Sequence, residues 1–86
     1  MKAKAKERPS FVYPPCVTER SGCKVGWRYY ATEAEARTAA KVARAEGAYL
    51  AGFGYDYGYR SPGSVSQVSK LAANQELAGL WEVVTP

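Results

Sequence analysis

Residues 27–47, WRYYATEAEARTAAKVARAEG, constrain this chain more than any other stretch, because they carry a strand, a helix and the joint between them. Thr32 is suited to cap the helix, and Glu35 follows at the capping-box spacing. Glu33 and Glu35 place acid in the first turn, while Arg37, Lys41 and Arg44 come later, the order the helix dipole favours. Glu33 and Arg37 form an i,i+4 pair with the acid first. The spacing predicts a helix over 33–46, with Gly47 as the residue just past its end. Ala36, Ala39, Ala40, Ala43 and Gly47 then fall on one side, and every one is small. Such a helix can lie close to a sheet, so the bulk at the contact must come from the sheet. Val25, Trp27 and Tyr29 share a face by strand alternation and are expected to supply it, with Arg28 and Tyr30 pointing the other way.

Strand signals lie on both sides of this unit. Residues 16–19 and 23–31 read as a hairpin around Ser21-Gly22, with Arg20 facing Cys23 and Thr18 facing Val25. Residues 10–13 could start a strand, but Pro14-Pro15 removes two backbone donors and makes this piece an edge or an extended arm. Residues 49–63, YLAGFGYDYGYRSPG, hold four of the seven tyrosines interleaved with glycine. Glycines at that density favour a loop over a long strand. Residues 64–70 are open to two readings, since Val65, Val68 and Leu71 fit a helical step while Gly63 and the Ser/Val composition favour a strand. They are taken as a strand, 72–79 as a connection, and 80–85 as a strand with Trp81 and Val83 on one face. The expected fold is α+β in two layers: a mainly antiparallel sheet of three to five strands with one Ala-rich helix on one face. The second sheet face would carry Arg28, Tyr30, Glu82 and Val84, partly open to solvent or a partner.

The net charge of +4 is unevenly placed. Lys2, Lys4, Lys6 and Arg8 against Glu7 give the first eight residues +3, while residues 9–86 carry eight bases against seven acids. Residues 1–9 are thus expected to be a flexible basic tail and 10–86 a single domain. No apolar run follows the basic N-terminus, so a secretory signal is not expected, and no stretch is long and apolar enough for a membrane span. A cytoplasmic location is the expectation. Cys16 and Cys23 lie out of register in the proposed hairpin, and a disulfide would need a different register. With no histidine and no third cysteine, a metal site is not expected either, nor any other cofactor.

Catalysis is the weakest functional class. Without histidine there is no Ser-His or Cys-His pair, and the glycines of GFGYDYG miss the dinucleotide-binding spacing. Asp56 between tyrosines reads as a turn residue rather than half of an acid/base pair. The loop composition around Tyr55, Asp56, Tyr57, Tyr59 and Arg60 matches that of interface hot spots, rich in Tyr and Arg and poor in Lys. These residues are the candidate protein-binding site of a non-enzymatic interaction protein, the other reading being an aromatic loop folded over the core. The alternative is a nucleic-acid binder that uses Arg37, Lys41 and Arg44 on the helix together with Lys2, Lys4, Lys6 and Arg8 in the tail.

The pattern W-x-Y-Y-A-T-x-x-E-A, from Trp27 to Ala36, resembles the strand-to-helix junction of the arm-type DNA-binding domains of phage integrases. Downstream the chain departs from that pattern, with its Tyr-Gly loop and two further strands. As a whole it is similar to the compact accessory proteins of bacteriophages, including anti-CRISPR and other host-takeover proteins. Small size, one Ala-rich helix on a sheet, and the short closing strand before Pro86 carry that resemblance. It implies a stoichiometric binder or inhibitor of a larger protein or nucleoprotein, and transfers no individual functional residue.

Overall fold

The computed structural model describes residues 9–86 apart from Tyr59. The expected basic tail therefore lies almost wholly outside the described residues. Four strands and one helix follow in the order β1 (Thr18–Ser21), β2 (Gly26–Tyr30), α1 (Glu33–Ala51), β3 (Val65–Gln67) and β4 (Trp81–Thr85). The sheet runs β1-β2-β4-β3, antiparallel at every pairing. With α1 on one face, this is the α+β two-layer arrangement read from the sequence.

The helix starts as its sequence dictates. The Thr32 hydroxyl oxygen accepts from the Glu35 backbone N–H at 3.2 Å, and the hydroxyl donates to the Glu35 carboxylate at 2.9 Å. Ala36, Ala39, Ala40, Ala43 and Gly47 are its buried positions. The C-terminus departs from expectation. Gly47 does not end the helix, which continues to Ala51. Gly47 instead faces Pro62, and a Cβ there would stand 2.9 Å from the proline ring, so this glycine answers a tertiary contact rather than a chain reversal. The extension leaves no basic residue in the last turn.

The sheet face that meets the helix is also reversed from expectation. In the β2–β4 register Arg28 pairs with Val83 and Tyr30 with Trp81. Tyr30 and Val83 are fully buried against Ala36, Ala39, Ala40 and Ala43, with Tyr13, Cys16, Val65 and Trp81 packed around them. The bulk above the alanine stripe is thus Tyr30, and Trp27 and Tyr29 point the other way. Alternation separates the two sets but does not choose between them, since each contains a large aromatic. Tyr30 suits the interior because its phenol O–H reaches the Pro14 carbonyl at 3.0 Å. Glu82 and Val84 do lie on the second face, but that face is not open throughout: Tyr29 and Val84 are buried. The Tyr29 hydroxyl donates to Glu82 at 2.9 Å, and Arg60 donates to the other Glu82 oxygen at 2.7 Å.

The hairpin register differs as well. Arg20 pairs with Trp27 and Thr18 with Tyr29, so the turn spans 22–25 and is closed by the Gly22 N–H donating to Val25 O at 2.8 Å. Gly22 lies under the Trp27 indole, where a Cβ would come within 2.7 Å of the ring. The apex thus falls at Cys23-Lys24, beyond Ser21-Gly22. Cys16 and Cys23 are free thiols, the first packed at the core margin and the second exposed in the turn.

Residues 10–16 form the extended arm rather than a strand. The Tyr13 hydroxyl donates to Glu46 on the helix at 2.6 Å, and the Arg28 guanidinium lies over the Tyr13 ring, 4.4 Å from its centroid. Helix α1 lies chiefly over β4. The arm bridges from the helix to β2 on the same side.

Candidate protein-binding surface

The C-terminal turn of α1 shapes the Tyr-Gly loop. Its last carbonyls need partners, and the loop amides provide them. Gly52 N–H is shared between Ala48 and Tyr49, Phe53 N–H donates to Leu50 O at 2.9 Å, and Gly54 N–H donates to Ala51 O at 3.0 Å. Gly54, at φ 95°, then turns the chain into a conformation open to glycine and strained for other residues. Phe53 and Tyr55 are left 69% and 59% exposed, large apolar surface held on a helix end.

The aromatic rings form two groups. Phe11 of the arm meets Tyr49 at 5.7 Å between centroids, and Tyr49 meets Phe53 at 5.2 Å, both tilted. Tyr55 and Tyr57 lie nearly parallel, with centroids 6.5 Å apart. Asp56 Oδ1 accepts from the Gly58 N–H at 3.0 Å, an Asx turn that sets the loop's course. The same loop faces the hairpin turn across a cleft of about 400 Å³ lined by Cys23, Lys24, Gly54, Tyr55, Asp56 and Tyr57.

The structure therefore brings Tyr55, Asp56 and Tyr57 together and separates Arg60 from them. Arg60 reaches back to Glu82 on the sheet, whose second oxygen holds Tyr29. Burial and the hydrogen bond to Glu82 push the Tyr29 phenol up to about 12. Tyr59 lies outside the described residues. Phe53, Tyr49 and Phe11 were not among the residues singled out for this surface. Only the position of Phe53 beside the tyrosines hinted at it, and Phe11 arrives through the path of the arm.

The alternative set is placed differently. Arg37, Lys41 and Arg44 are all exposed on α1. Arg37 Nε donates to Glu33 at 2.9 Å, and Arg44 Nη1 donates to the Gly63 carbonyl at 3.1 Å. The Arg44 stem also covers Gly63, at φ 94°, where a Cβ would overlap it. Two of the three cations are thus engaged within the fold. Lys2, Lys4, Lys6 and Arg8 lie outside the described residues. A second cleft, of about 310 Å³, is lined by Tyr13, Arg28, Glu19 and Glu46 among others. Within it Arg28 pairs with Glu19 at 3.7 Å and the Tyr13 hydroxyl donates to Glu46.

Among the described residues, no cluster of three or more His, Cys, Asp or Glu side chains is placed to hold a metal ion, and no helix is long and apolar enough to cross a membrane. Comparison with known proteins finds no matching family model, no matching curated protein and no matching solved structure.

Proposed function

We propose that this chain is a non-enzymatic interaction protein, a stoichiometric binder or inhibitor of a larger protein, and that it docks through the loop that follows α1. The observation that carries this reading is the exposure of Phe53 and Tyr55 on a loop tied to the helix end by backbone hydrogen bonds. Exposed aromatics on a constrained support lose little conformational entropy on binding and bury large area, the usual basis of a hot spot. The proposed partner is a bacterial host protein, a target of anti-defence or host-takeover type, in line with the sequence's resemblance to phage accessory proteins. Affinity capture from a nuclease-treated bacterial lysate, followed by reconstitution of the complex from purified components, tests the reading. Phe53→Ala and Tyr55→Ala are each expected to weaken the complex by about 1–2 kcal/mol, while the loss of their ring contacts with Tyr49 and Tyr57 lowers the thermal melt only modestly and leaves the chain folded. A complex that forms with unaltered affinity in both variants would show that docking occurs elsewhere.

A further inference from the structure

Residues 9–16 reach the helix end without joining the sheet. Among the described residues they make no backbone–backbone hydrogen bond; the first belongs to Val17, whose N–H donates to Tyr29 O at 2.7 Å. Side chains therefore hold the arm, through three directional contacts. The Tyr13 hydroxyl donates to Glu46, the Arg28 guanidinium lies over the Tyr13 ring, and the Tyr30 hydroxyl donates to Pro14 O. Pro14 and Pro15 fix their own φ and bias the preceding residue towards extended backbone. Little backbone entropy is lost when such a segment seats. Two residues before Tyr13, Phe11 meets Tyr49 at 5.7 Å between centroids, and Tyr49 meets Phe53 at 5.2 Å. Tilted ring pairs at these distances favour defined relative positions. The arm and the exposed Phe53 are thus the two ends of one chain of rings.

We propose that the arm is a clamp on the docking loop: seated, it fixes the Phe53 ring through Phe11 and Tyr49; unseated, it releases that ring, with Tyr13 the positioning residue that holds the arm down. The clamp's role in binding rests on the reading that the loop docks a protein. A ring already fixed loses less freedom when a partner covers it, so affinity scales with the seated fraction although Tyr13 itself does not meet the partner. The coupling is reciprocal, and a partner bound at Phe53 holds the arm seated. An arm that served the core alone would also pack Tyr13 and Cys16 as they are packed here, but Phe53 would then be indifferent to Tyr13.

Phe11 and Phe53 are the two phenylalanines of the chain. Labelling the full chain with 4-fluorophenylalanine therefore gives one fluorine signal from each, assigned with Phe11→Leu and Phe53→Leu. In Tyr13→Ala both signals are expected to shift towards their positions in the urea-unfolded chain, while the methyl signals of the buried Val83 and Val84 stay folded. Tyr13→Phe keeps the ring and loses the hydrogen bond to Glu46, and should move both signals the same way by less; it decides the matter alone if Tyr13→Ala unfolds the chain. A Phe53 signal that stays in place in the folded variants would overturn the clamp, whether or not Phe11 moves. A double-mutant cycle on the reconstituted complex reads the binding side. Tyr13→Phe is expected to weaken the complex about two- to tenfold in the parent and to add no loss in Phe53→Ala. Where Phe53→Ala itself weakens the complex, no loss with Tyr13→Phe, or an equal loss in both backgrounds, would overturn the clamp's role in binding. A complex indifferent to Phe53→Ala and Tyr55→Ala, with the Phe53 signal still coupled to Tyr13, would overturn docking through the loop and leave the clamp standing.

Discussion

Tyr29 and Tyr30 are adjacent, and their surroundings give the same phenol chemistry two different consequences. Tyr30 is a core residue whose hydroxyl finds a backbone carbonyl in the arm. Tyr29 faces away from the helix, donates to Glu82, and has its ionisation pushed up to about 12 by burial and by that carboxylate. An unfolded tyrosine ionises near 10. Below pH 10 both states hold the proton and the contribution of Tyr29 to stability is fully present. Between about 10 and 12 the unfolded chain loses the proton first, so stability falls, by up to about 1.4 kcal/mol per pH unit from this group. Denaturant melts across that window should show the decline, and Tyr29→Phe should make it shallower. An equal slope in the variant would assign the alkaline loss to other groups. Neither tyrosine's role was legible from its neighbours in sequence, because Pro14 and Glu82 reach them through tertiary contacts.

At the scale of elements, helix α1 was legible where its signals are local. Thr32, Glu35 and the alanine stripe act within a few residues of themselves, and the helix begins and packs as their spacing indicates. Its far end was not legible. Gly47 resembles a terminating glycine, yet its conformation is helical and its smallness is required by Pro62. The stripe itself gives a direct test. Ala40 and Ala43 are 1% and 0% exposed beneath the sheet, so Leu at either position must displace the β2–β4 layer. Ala40→Leu and Ala43→Leu are each expected to lower stability by about 1–3 kcal/mol through overpacking. Thermal melts that match the parent would mean that the helix stands off the sheet.

At the scale of the molecule, the distribution of charge separates the two functional readings. The part beyond the first eight residues is nearly neutral, and the helix cations Arg37 and Arg44 make contacts inside the fold. A partner held by Phe53 and Tyr55 gains its energy from desolvated aromatic area, which salt affects little. The affinity of the reconstituted complex is therefore expected to change less than about threefold when salt is raised from low to physiological levels, and Arg37→Ala with Lys41→Ala should alter it little. Binding through the tail and the helix stripe would give a log–log salt slope of about −4 to −6 instead. A slope of that size, lost with Arg37 and Lys41 but not with Tyr55, would move the function to nucleic acid.

By itself the sequence determined the features that rest on short-range physics. These are the helix start, its small buried stripe, the existence of a hairpin and of a strand before Pro86, and hence the α+β class. It also marked the Tyr-Gly loop, since glycine at that density cannot propagate a strand. The tertiary structure alone decided which face of β2 meets the helix. That choice depends on the register of β2 against β4, strands 50 or more residues apart in the chain, where Arg28 pairs with Val83 and Tyr30 with Trp81. It alone sent Arg60 to Glu82 while leaving Tyr55, Asp56 and Tyr57 together, because the partner of a long charged side chain is set by what folding brings within its reach.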